Sequence, residues 1–175
     1  QWDINKIQVA TIDIETESEN GFPQVDNPIE RVNAITLKNH QTKKFVVFGL
    51  HEWNTDRDDI TYIQCNTEDE LLQRFLSFWS SNYPDVITGW NSRFFDIPYL
   101  VNRIKVRFGE DEVKKLSPWG SVFNADVFRM GRKHTAFDLV GISQLDYLEL
   151  YQKYTYSAQE SYRLDHIGFV ELGKA

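Results

Sequence analysis

A chain of 175 residues, 41% apolar and 14% aromatic, has the length and hydrophobicity of one folded domain with a real core, which excludes a disordered tail or linker. Its net charge of −7 and isoelectric point near 5.1 have the wrong sign for a strong non-specific nucleic-acid binder. The single cysteine, Cys65, excludes an intrachain disulfide and reads as a small buried hydrophobe, and no apolar run approaches the length of a membrane span.

In chain order, residues 6–15 read as a buried strand. Two apolar runs, 31–38 and 44–50, flank the turn residues Asn39-His40-Gln41-Thr42 and predict a hairpin. The acidic, polar stretch 51–61 predicts a surface loop. Thr67-Glu68-Asp69-Glu70 is a capping box, and Leu71, Leu72, Phe75, Phe78 and Trp79 recur behind it at helical spacing. Val86 to Trp90 predicts a second buried strand. Ile97, Leu100, Val101, Ile104 and Phe108 mark the next helix, with Gly109 as its cap. A short helix over 110–116 should end at Pro118. Residues 120–140 predict a β-hairpin with a charged tip, Arg129 to His134. A strand over 142–146, a helix over 147–154, a loop and a last helix over 162–172 complete the pattern. Hairpin-linked strands followed by strand–helix–strand crossovers predict a mixed sheet with helices on its faces.

Charge is unevenly spread. Residues 1–90 carry seven basic and fifteen acidic side chains, and residues 91–175 twelve and eleven. The basic residues of the second half gather at Arg103, Lys105 and Arg107 and at Arg129, Arg132 and Lys133. A solvated helix face plus a polar turn explains them, and a weak contact with single-stranded DNA is equally compatible.

The chemistry is concentrated in three acids. Asp13 and Glu15 lie two apart on the first strand, so both project from one face while Ile12 and Ile14 face the other. Adjacent carboxylates repel, and a hard divalent cation relieves that repulsion. Asp96, in Asn91-Ser92-Arg93-Phe94-Phe95-Asp96, falls at the start of a helix that follows a buried strand, where a carboxylate also suits the helix dipole as a plain cap. No phosphate-binding glycine loop occurs, and nothing around His40 or His51 suggests zinc.

Asp13-Ile14-Glu15 and Asn91 with Phe95-Asp96 resemble the first and second motifs of the proofreading 3′–5′ exonuclease domain of family B DNA polymerases. Gly21-Phe22-Pro23, Leu116-Ser117-Pro118, Val140-Gly141-Ile142-Ser143, Leu145-Asp146-Tyr147 and Ser161-Tyr162-Arg163-Leu164-Asp165 resemble, in order, the replicative polymerases of T-even-like bacteriophages. The resemblance implies a ribonuclease H-like α/β fold, a mixed β-sheet flanked by helices with an inserted β-hairpin at 120–140. It implies Asp13, Glu15 and Asp96 as catalytic residues and metal ligands, and two magnesium or manganese ions in the complete domain. It implies Phe22, Asn91, Phe95, Met130 and Arg132 as DNA contacts. Other readings stand beside these: Phe22 as a loop aromatic folded onto the core, Asn91 as a turn residue, Phe95 as a core aromatic. Asp146 and Asp165 match positions that do not hold metal and are read as structural.

The family's third motif, Tyr, three residues, Asp, does not occur: no Tyr has an Asp four residues later, and Tyr156 to Glu160 has the spacing with the wrong acid. The expectation is therefore one exonuclease domain over 1–175, cut before its third motif and weak or inactive alone. The implied partners are the 3′ end of single-stranded DNA, the rest of a polymerase chain and, through it, a sliding clamp, in the cytoplasm of an infected bacterium. The alternative is a catalytically incomplete DNA-binding or structural domain of the same fold; a stand-alone exonuclease of the same superfamily is a third.

Overall fold

The computed structural model describes residues 3–129 and 131–173. Its centre is a six-stranded mixed sheet in the order β10-β5-β1-β2-β3-β4. The strands are β1 (Val9–Thr16), β2 (Val32–Asn39), β3 (Phe45–Gly49), β4 (Ile60–Gln64), β5 (Val86–Gly89) and β10 (Ser143–Asp146). β1, β2 and β3 form an antiparallel meander. β5 runs parallel to β1, β10 parallel to β5, and β4 parallel to β3. β1 is a central strand, and its alternation is the predicted one: Ile12 and Ile14 are buried, Asp13 and Glu15 exposed.

Two helices cover the apolar face of the sheet. α1 (Glu68–Ser81) starts at the predicted cap: Thr67 Oγ1 accepts from the Glu70 amide at 3.2 Å, while the Glu70 carboxylate accepts the Asn66 amide at 2.8 Å. Leu71, Leu72, Phe75, Leu76 and Trp79 all face the core. α2 (Asp96–Phe108) buries Ile97, Leu100, Val101 and Ile104 beside them. Each such side chain contributes about 1.5–3 kcal/mol on burial. Pro98 is tolerated because it falls in the first turn, where an amide has no intrahelical partner. α2 ends at Gly109, whose φ of 91° demands glycine.

Short α3 (Glu110–Val113) leads to the insertion. The expected single hairpin is a ladder broken in the middle. β6 (Val122–Asn124) pairs with β9 (Phe137–Leu139), and β7 (Val127–Arg129) with β8 (Arg132–His134). An Ala125 amide to Ala136 carbonyl bond at 2.8 Å joins the two halves. α4 (Tyr147–Tyr154) and α5 (Leu164–Leu172) follow β10.

The sheet departs from expectation at its far edge. The stretch 51–61 is not all loop, because Ile60 and Thr61 open β4. That strand pairs with β3 through backbone bonds and shows little alternation in burial. The first strand begins at Val9, after a 3-10 turn over Ile4–Lys6. Among the described residues no helix is long and apolar enough to cross a membrane.

Candidate active site

β5 pairs with β1 only as far as Thr11↔Thr88. Gly89 ends that strand in close contact with β1: a Cβ there would lie 2.6 Å from the Ile12 carbonyl oxygen. The chain then turns through residues 90–95 and enters α2, so Asp96 arrives beside the part of β1 that β5 leaves free. Asp96 Oδ1 accepts the Ile14 amide at 2.9 Å. Ile14 is the residue between Asp13 and Glu15, so the fold brings all three predicted acids to one stretch of β1. Asp96 is not the N-cap, which is Phe95, but the first helical residue, and it uses its carboxylate on a neighbouring strand.

The three acids share an electrostatic signature. The Asp13 and Glu15 carboxylates make no hydrogen bond or ion pair among the described residues. Desolvation raises the pKa of each, and the charge of Asp13 raises that of Glu15 further. Asp96 is only 4% exposed. Burial first, then repulsion from Asp13 and from Asp146, pushes it up to about 7, against the opposing effect of the Ile14 amide and its own. Like charges held together without a cationic side chain are a donor set that suits a hard divalent cation. Among the described residues no three acidic, His or Cys side chains converge closely enough to hold a metal ion by themselves. An ion at these acids would have to take its remaining ligands from water and substrate oxygens.

Beside the acids lies a cleft of about 580 Å³. Phe22 and Pro23 line one wall; Trp90, Asn91, Phe94 and Phe95 form the floor; His134 of the hairpin and Gln152 of α4 close it. It meets the acids through Phe95, the chain neighbour of Asp96. Phe22 is not folded onto the core: it is 77% exposed, its ring 5.9 Å from that of Phe95. Asn91 is a turn residue, with φ of 62°, and its side-chain amide is left without a hydrogen bond in the cleft. Phe95 is half-buried and stacks on Tyr99 at 5.6 Å, so it serves core and cleft together. Another hollow, of about 410 Å³, lies at the other end of β1 under Trp79 and Tyr83 and holds no carboxylate.

Several positions resolve differently from the sequence reading. Arg103 is not a solvated cation: it is 6% exposed, and its guanidinium grips Glu68 through two bonds of 2.7 Å and the Pro28 carbonyl through another. Lys105 pairs with Glu110, and Arg107 with Asp69 at 2.8 Å. Lys133 pairs with Asp126 at 2.5 Å. Arg132 is exposed on β8, away from the cleft lining, and Met130 lies outside the described residues. Two contributions had no sequence signal. His134 stacks against Phe94 at 5.3 Å, and Thr135 Oγ1 donates to Asp26 at 2.6 Å, tying the hairpin to the Phe22 loop. Asp165 is exposed in the first turn of α5 and lines a shallow hollow with Trp90 and Asn91.

The chain is similar to known proteins over nearly its whole length. The family model described as the exonuclease domain of DNA polymerase family B matches residues 2–167. The DNA-directed DNA polymerase of Escherichia phage RB69 is 36% identical over 98% of this chain, and that of Enterobacteria phage T4 27% identical over 99%. The DNA polymerase delta catalytic subunit of Candida albicans is 27% identical over 96%. The chain spans 22% of the length of each phage protein and 17% of the yeast one. A ribonuclease H-like mixed sheet flanked by helices, with acids gathered on its central strand, thus accompanies a match over nearly every residue, and the chain belongs to the exonuclease domain family of family B DNA polymerases.

Proposed function

We propose that the chain removes nucleotides from the 3′ end of single-stranded DNA in a divalent-metal-dependent hydrolysis, as the proofreading part of a DNA polymerase. The observation that carries this reading is the meeting of Asp96 with the Ile14 amide, which places a buried acid beside two unpaired ones. Phe22 and Phe95 offer ring faces to the last bases, worth about 1–3 kcal/mol per stacked base without regard to sequence. The Asn91 side-chain amide, without a hydrogen bond among the described residues, would hold the terminal nucleotide in register. Asp13 and Glu15 present carboxylate oxygens on the exposed face of β1. Two divalent ions held by Asp13, Glu15 and Asp96 would supply an activated water and stabilise the leaving oxygen.

The test is end-resolved digestion by the full gene product, with magnesium and with chelator, of single strands labelled at either end. Release from the 3′ end that needs metal and is lost in Asp13→Ala, with polymerisation retained, supports the reading. Release from the 5′ end, or excision indifferent to Asp13, refutes it.

A second reading has its own observation. Among the described residues no three acidic, His or Cys groups converge to hold a metal ion, and the 175 residues contain no Tyr-x-x-x-Asp. On that basis the domain binds the DNA end without cleaving it. Binding of a single strand by the full gene product, with no metal-dependent release under the same conditions, favours this alternative.

A further inference from the structure

Asp146 is 3% exposed, yet among the described residues no basic side chain bonds to it. Its charge is met by backbone amides. Oδ1 accepts from Leu148 at 2.8 Å and Glu149 at 3.3 Å, capping α4, and also from Asn91 at 3.2 Å. Oδ2 accepts from Arg93 at 2.9 Å. The parallel register sets Asp146 beside Gly89, the last residue of β5, so the carboxylate meets the loop where it leaves the sheet. That loop carries Asn91 in a left-handed conformation and delivers Phe94 and Phe95 to the cleft.

We infer that Asp146 is a positioning residue for the 3′-terminal nucleotide, acting through the Asn91 and Arg93 amides. The inference rests on the exonuclease reading of the cleft. With both oxygens taken by amides, Asp146 is not a ligand for the cation. Asp96 has its own tether to Ile14, so loosening the loop disturbs binding more than chemistry.

The decisive variant is Asp146→Ser in the full gene product. A serine hydroxyl still caps α4 but lacks the second oxygen and the reach to hold Arg93. Hydrogen exchange should show the Asn91 and Arg93 amides losing protection while α4 keeps its own. KM for a single-stranded 3′ end should rise about tenfold, while kcat at saturating magnesium should change less than about threefold. If the serine variant does not fold, Asp146→Asn, which keeps the side chain's volume, is measured in the same way. An unchanged KM overturns the assignment, and so does a kcat that falls as far as KM rises. Excision that survives Asp13→Ala overturns the site reading, and this inference with it, even where the amides lose protection.

Discussion

The Asp96 carboxylate lies 2.9 Å from the Ile14 amide, across 82 positions of sequence, and this bond joins the helix-borne acid to the strand-borne pair. It satisfies a strand amide that β5 does not reach, and it holds a carboxylate where burial and Asp13 both oppose ionisation.

That opposition predicts a pH dependence. The folded carboxyl binds its proton more tightly than the unfolded one, about 7 against 3.8. Between those values the folded state carries more bound protons, so stability falls as pH rises through the window. The span corresponds to on the order of 4 kcal/mol. Asp96→Asn, which can still accept the Ile14 amide, should be more stable than the parent above pH 7 and similar below pH 4. Chemical denaturation at pH 4, 6 and 8 checks this; parallel curves for the two proteins would contradict it.

Divalent cations should act in the opposite sense. Magnesium or manganese near Asp13, Glu15 and Asp96 relieves their repulsion and should raise the melting temperature, more at pH 8 than at pH 5. The increment should vanish in Asp13→Asn/Glu15→Gln. Differential scanning fluorimetry with and without metal reads this directly, and an equal increment in the double variant would place the cation elsewhere.

Phe22 is exposed and ties nothing to the core, so Phe22→Ala should leave the melting temperature unchanged. Loss of base stacking should weaken binding to a single strand by about 1–3 kcal/mol, roughly five- to a hundred-fold. Fluorescence anisotropy with a labelled oligonucleotide measures it. A large fall in stability would instead make Phe22 a core residue.

Arg103 and Glu68 form a buried, doubly bonded pair that also holds the loop between β1 and β2 at Pro28. Breaking one side strands a buried charge, and Arg103→Met should cost about 3–5 kcal/mol. Arg103→Met/Glu68→Leu should recover part of that, since no lone charge remains. Urea denaturation of the two variants compares them; equal losses would mean that the packing of the long Arg103 side chain outweighs its charge.

Local order was legible in the sequence because it depends on near neighbours. The two-residue spacing of Asp13 and Glu15 sets their shared face on any strand. The Thr67 cap and the spacing of Leu71, Phe75 and Trp79 mark α1, and Gly109 ends α2 through a backbone angle that only glycine accepts readily. β4 was harder to see, since its strand pairing comes from the backbone and its side chains show no clear alternation. Tertiary packing alone decided the rest. Arg103 reads as a surface cation until α2 lies against Glu68. Phe22 reads as a loop aromatic until four side-chain bonds from Tyr99, Asn102 and Arg103 to backbone carbonyls between Val25 and Glu30 hold its loop open. Asp146 reads as a structural acid, and only the parallel pairing of β10 with β5 turns it toward Asn91. Charge pairing and amide capture act over a few ångströms in space, whatever the separation along the chain, so sequence spacing determines which face a residue occupies and the closed fold determines which partner it meets.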